Sequence, residues 1–232
     1  MANSENLRRL RRNTIINLTS KQQEKEIVRA LIEVERRLDE KFHVALHFSG
    51  NWYLKDIVGS LRNVFPSIEF FYHFDTSSVR PDGGVLFLVS KSGDRYPILI
   101  SEVKNQGTNE RRLKEGLKKQ AKGNAIERLG KNVIGLKTAL LSETIFPFVC
   151  FGYGCDFAAD SSILDRVSTL AMFGPLNTTN LHASGPNGEF QRGSFYFREA
   201  KWGESEMIEI MYDIASRSVQ YYFSKYGEQL FV

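Results

Sequence analysis

Pro81-Asp82-Gly83-Gly84-Val85-Leu86-Phe87-Leu88-Val89-Ser90-Lys91-Ser92-Gly93-Asp94-Arg95-Tyr96-Pro97-Ile98-Leu99-Ile100-Ser101-Glu102-Val103-Lys104 is the stretch that decides the fold. Two apolar runs, Val85 to Ser90 and Tyr96 to Val103, flank a short polar segment containing Gly93, which predicts a β-hairpin. With the turn centred on Ser92 and Gly93, or on Gly93 alone, paired residue numbers sum to about 185 or 186, and Asp82 falls opposite Val103 or Lys104. Side chains two apart on a strand share a face, so Glu102 and Lys104 point the same way. Asp82, at the open end of the hairpin, reaches the same spot. Two carboxylates and an ammonium are thereby expected to meet.

Outward from the hairpin, Ile27, Leu31, Val34, Leu38 and Phe42 recur every three or four residues, predicting an amphipathic helix over 20–42, with Ser20 and Gln23 as a capping box. A second helix is expected over 54–64, ending ahead of Pro66, and the aromatic run Ile68 to Phe74 reads as a strand. Downstream, Ile126, Leu129, Val133, Leu136 and Leu140 have helical spacing, Phe146 to Phe151 is a short buried strand, and Ser161 to Met172 is helical. Gly185 to Gly193 reads as a loop, Ser194 to Arg198 as a strand, and Glu204 to Tyr222 as a long helix. The class is α/β, a mixed central sheet flanked by helices. With no repeat and no Pro/Ser linker, the organisation is a basic arm over 1–17 and one domain over 18–232.

Composition narrows the function. At 232 residues, 42% hydrophobic and 25% charged, the chain has the make-up of a globular domain rather than a disordered or fibrous one. No apolar run approaches the roughly 18 residues of a membrane span. The arginine-rich start lacks the apolar core of a secretory signal. Cys150 and Cys155 are the only cysteines, fitting a reducing cytoplasm in which thiols pack as small hydrophobes. Net charge is +4, yet residues 108–131 hold eight basic side chains against three glutamates, a local +5. A concentrated positive stretch suits a polyanionic partner.

Two hard oxygen donors with room for water are what Mg²⁺ takes, because it keeps waters and phosphate oxygens in its shell. A lysine beside them can hold the attacking water and stabilise charge growing on phosphorus. Taken singly, each residue has a plainer reading: Asp82-Gly83-Gly84 is turn chemistry, and Glu102 with Lys104 is a solvated strand face. Together, however, Pro-Asp, two strands and Glu-x-Lys form a pattern found in metal-dependent nucleases. His43 and His47 lack further ligands in sequence for zinc. There is no phosphate-binding Gly-x-x-x-x-Gly-Lys-Ser/Thr loop, so no nucleotide cofactor is expected.

Three blocks carry a closer likeness: Ser77-Ser78-Val79-Arg80-Pro81-Asp82-Gly83-Gly84, Ser101-Glu102-Val103-Lys104-Asn105-Gln106-Gly107 and Gly123-Asn124-Ala125-Ile126-Glu127-Arg128. In order and spacing they resemble the EcoRI family of type II restriction endonucleases, with a looser match from Thr76 to Ser218 and little before residue 70. The resemblance implies a PD…ExK nuclease core and a homodimer that hydrolyses both strands of double-stranded DNA at a short palindrome. It also implies Mg²⁺ held by Asp82, Glu102 and the Val103 carbonyl, with Lys104 positioning the water, and products ending in 5′-phosphate and 3′-hydroxyl. Asn124 and Glu127 alone would read as a helix cap and its reciprocal glutamate. The likeness instead implies that Gly123, Asn124, Ala125, Glu127 and Arg128 enter the major groove, where Asn, Glu and Arg contact adjacent adenines. Lys118, Lys119, Ala121, Lys122 and Arg166 are implied as further DNA contacts. Gln120, Lys122 and Thr169 depart from the family pattern at outer-base positions, so the expected site is an AATT core with the flanking pair unassigned. The rival readings are a structure-selective nuclease, such as a junction resolvase or nicking repair enzyme, and a DNA-binding module without catalysis. The protein is expected in the cytoplasm of a bacterium or archaeon, with no membrane partner.

Overall fold

The computed structural model describes residues 15–105, 109, 116, 123–158, 161, 163–182, 190 and 192–232, with backbone alone at 15–21, 105 and 123–125. The arm ahead of residue 15, the positions Lys118, Lys119, Ala121 and Lys122, and most of the loop expected at 185–193 lie outside the described residues. In chain order the elements are α1 (Ile15–Phe42), β1 (Leu46–Ser49), β2 (Trp52–Tyr53), α2 (Leu54–Val64), β3 (Ser78–Val79), β4 (Gly84–Val89) and β5 (Arg95–Asn105). Then follow α3 (Gly123–Ala139), β6 (Phe148–Tyr153), a 3₁₀ turn (Cys155–Phe157), α4 (Ile163–Leu170), β7 (Ser194–Arg198) and α5 (Glu204–Tyr226).

Five strands form one mixed sheet in the order β1-β4-β5-β6-β7. β1, β4 and β5 are antiparallel, while β5, β6 and β7 are parallel. Helix α3 lies in the connection between β5 and β6, and α4 in that between β6 and β7, as parallel neighbours require. On one face of the sheet, Leu86, Leu88, Leu99, Val149 and Phe151 pack against Ile27, Leu31, Val34 and Leu38 of α1 and Met211, Ile214 and Val219 of α5. On the other, Val85, Phe87, Ile100, Phe148, Cys150 and Phe195 meet Ile57 and Leu61 of α2, Leu129 and Val133 of α3, and Val167 of α4. The result is helices on both sides of a mixed central sheet, as the sequence implied. Among the described residues no helix is long and apolar enough to cross a membrane.

Two local readings are corrected. Ser20 lies inside α1, with helical backbone already running ahead of it, so it stands at no N-terminus and cannot cap. Ile68 to Phe74 is no strand: Phe71 and Phe74 are 69% and 70% exposed, the chain turns just after Pro66 where the Ile68 N–H donates to the Phe65 carbonyl, and among the described residues no strand is paired with it. Phe71 instead stacks edge-on against His73. Ile68, Phe70, Tyr72 and Phe74 have the aromatic make-up and spacing of two that suit a strand, but a strand also needs a sheet edge to pair with, which this segment does not take.

Candidate active site

The hairpin forms with a paired sum of 185 from Gly84↔Ser101 to Leu86↔Leu99, and then slips to 184 at Phe87↔Pro97. Ile98 is the extra residue of this β-bulge, next to Pro97, which has no N–H to give to a ladder. The bulge inverts the alternation. Ile98 and Leu99 both pack toward α1 and α5, while Ile100 packs toward α3. Glu102 and Lys104 follow Ile100 at intervals of two and share its face.

Asp82 is delivered by the turn that precedes β4. The Gly84 N–H donates to the Pro81 carbonyl at 3.0 Å, and Gly84 takes φ of +80°, a conformation open to glycine. At Gly83 a Cβ would stand 2.2 Å from Ser101 Oγ and 3.1 Å from Ile27, so the chain can run this close only without a side chain. The Gly83 N–H donates to the Ser101 carbonyl at 2.9 Å, prolonging the hairpin by one bond and setting Asp82 over Glu102.

There the Asp82 backbone N–H donates to Glu102 Oε2 at 2.8 Å, and Lys104 Nζ donates to Asp82 Oδ2 at 2.8 Å. Lys104 Nζ also closes an ion pair with Glu102 Oε1. Glu102 is 2% exposed, whereas the Asp82 and Lys104 side chains keep 29% and 21% of their surface. Burial pushes the Glu102 carboxyl up from its ordinary value; Lys104 draws it back and Asp82 raises it further. Burial pulls Lys104 down, but the Glu102 and Asp82 carboxylates outweigh it and leave the ammonium above its ordinary range. Beneath the cluster Cys150, the register partner of Glu102, is fully buried, and that burial keeps its thiol neutral.

One cation already collects oxygens from both carboxylates, which tests the site for a metal: hard donors from the two sides of the hairpin converge on a single positive charge. The residues fit a divalent ion of the Mg²⁺ kind, which takes one or two carboxylates and completes its shell with water and phosphate oxygen. Among the described residues no three His, Cys, Asp or Glu side chains form a closed cage. Val103, between the two polar residues, buries its side chain on the opposite face.

The structure thus unites Asp82, Glu102 and Lys104. Glu127 and Arg128 are exposed on the first turns of α3, and Arg166 is exposed on α4. The two helices pack closely where Gly130 faces Leu170, leaving no room for a Cβ. Backbone places Gly123, Asn124 and Ala125 at the start of the described helix, and the side chain of Asn124, the expected cap or base contact, is outside the described set. Two features were missed. Asn109 Nδ2 donates to Asp156 Oδ1 at 3.2 Å, tying the segment after β5 to the turn after β6, and both residues are buried. Gly152 lies beside Lys104 in the register, signalled in sequence only by a glycine closing an apolar strand.

A mixed sheet flanked by helices, with Asp82 at a hairpin mouth and Glu102-x-Lys104 on the adjoining strand, defines the PD…ExK class of nucleases. Within that class, the model of the family described as restriction endonuclease EcoRI matches residues 11–229. The chain belongs to that family and is a type II restriction endonuclease. The match reaches well upstream of the blocks legible by eye. Among curated proteins it is similar to the type II restriction enzyme RsrI of Cereibacter sphaeroides, 29% identical over 199 residues and 72% of each chain. It is also similar to the type II restriction enzyme EcoRI of Escherichia coli, 28% identical over 210 residues, 75% of this chain and 76% of that one.

Proposed function

We propose that this enzyme is a Mg²⁺-dependent homodimer that hydrolyses both strands of double-stranded DNA at a short palindrome with an AATT core, leaving 5′-phosphate and 3′-hydroxyl ends. The observation that carries the reading is the convergence of Asp82, Glu102 and Lys104 at one point. Asp82, Glu102 and the Val103 carbonyl would hold the ion. When bound, it supplies charge neutralisation and a more acidic water, both of which uncatalysed phosphodiester hydrolysis lacks. Lys104, held charged by its neighbours, orients the attacking water at Nζ and donates to a phosphate oxygen as negative charge grows there. Glu102, accepting the Asp82 N–H, keeps the two carboxylates in register.

Base reading falls to Gly123, Asn124, Ala125, Glu127 and Arg128 at the start of α3 and to Arg166 on α4. An Asn amide can donate to and accept from an adenine edge, and Glu accepts from its amino group while pairing with Arg. Lys118, Lys119, Ala121 and Lys122 lie in the +5 stretch that furnishes the salt-sensitive, sequence-independent share of binding. The test is cleavage of a randomised plasmid library with Mg²⁺, sequencing the ends. A palindromic consensus built around AATT is the expected outcome; a consensus without it, sequence-blind nicking, or products formed equally in chelator would overturn the assignment.

A further inference from the structure

Register sets Lys104, Gly152 and Phe197 side by side on one face of three adjacent strands. The middle position is empty of side chain, and the ring of Phe197 fills it. Phe197 Cδ1 and Cε1 lie 1.8 and 2.1 Å from where a Cβ of residue 152 would stand. Phe157 backs the same place, 3.0 Å from that point, and packs on Phe197 with ring centroids 4.6 Å apart. Both phenylalanines are buried. The Asp82 carboxylate holds the ammonium of Lys104 from the β4 side, and this aromatic pair occupies the β6 side, where a polar or mobile neighbour would let the long stem swing.

We propose that Phe197, laid over Gly152 and backed by Phe157, is a positioning residue for Lys104. Its ring is the dry wall that confines the lysine stem and keeps Nζ between the two carboxylates. The inference rests on the nuclease reading and adds the device that aims its lysine. A four-carbon stem carries much rotamer freedom, and a reacting group displaced by about 1 Å loses on the order of a hundredfold in rate. A wall reaching over from β7 is therefore worth having even though its ring is buried.

The test pairs two substitutions. Gly152→Ala puts a methyl where the ring lies and must displace it, so single-turnover cleavage of wild-type-cut plasmid in Mg²⁺ should fall by about ten- to a hundredfold. Affinity for a duplex carrying that cut site, measured in chelator by mobility shift, should stay within about twofold. Adding Phe197→Leu makes room for the methyl and should restore the rate to within about threefold of wild type. In crystals, the 2.8 Å separation of Lys104 Nζ from Asp82 should lengthen in Gly152→Ala and return in the double variant. If Gly152→Ala does not fold, Phe197→Leu alone supplies the slow variant, and Gly152→Ala added to it the rescue. A folded Gly152→Ala that cuts at the wild-type rate, or a folded double variant that stays slow, overturns the inference. Wild-type protein that cuts no DNA overturns the nuclease reading instead, and the crystallographic separation then decides the role of Phe197.

Discussion

Glu102 makes two interactions at once, accepting the Asp82 N–H and pairing with Lys104, and does both while almost wholly withdrawn from water. A carboxylate is kept in so dry a place only where its charge is used or compensated. Glu102→Gln keeps the shape and removes the charge. If the residue helps hold Mg²⁺, the loss is several kcal/mol of transition-state stabilisation, about a thousandfold or more in rate. Single-turnover assays should show cleavage abolished at that level while mobility shifts still show specific DNA binding. Cutting at the wild-type speed would remove Glu102 from the proposed ligand set. Its pairing with Lys104 was legible from spacing alone, because residues two apart on any strand share a face. Which face that would be was not legible.

The β4–β5 hairpin settles it. One inserted residue at Ile98 exchanges the two sides of the strand, carrying Glu102 and Lys104 to the side of α3 and α4 rather than that of α1 and α5. A count from the turn recovered the ladder beyond Leu86 but not the slip at Pro97, since a bulge answers to packing on both faces. The Tyr222 hydroxyl, donating to the Pro97 carbonyl at 3.2 Å from α5, is one such tertiary hold. At the other end of the hairpin, Gly83→Ala should overpack the turn against Ser101 Oγ and cost about 1–3 kcal/mol, read as a lower urea midpoint. Among the described residues Ser101 Oγ is buried without a hydrogen-bond partner, so Ser101→Ala should be nearly neutral alone and recover much of that loss in the double variant. No recovery would mean that the backbone, not the hydroxyl, sets the limit.

At the scale of the molecule, two helical layers clamp a sheet whose parallel half, β5 to β7, carries the polar cluster near the ends of its strands. Ligand sites in open α/β sheets collect at that carboxyl edge. Each chain offers one such cluster among its described residues, and a palindrome presents two equivalent phosphodiesters. A twofold pair of chains would supply one centre to each strand. Sedimentation should therefore give a free protein of about twice the 26.5 kDa chain mass, and two chains per duplex once DNA is added. A monomer under both conditions would require successive cuts and would be visible as a nicked intermediate.

By itself the sequence determined the alternation of helices and strands, the hairpin, and the local chemistry of Asp82 and Glu102-x-Lys104, because these depend on periodicity and spacing over a few residues. The boundaries of α2 and β7 fall where the pattern put them. Only the tertiary structure decided that Ser20 lies within a helix, that the Ile68 to Phe74 run stays out of the sheet, that a bulge selects the face of the site, and that Phe197 takes the space beside Lys104. Each of these is a competition for volume between segments far apart in the chain, and local pattern is blind to it.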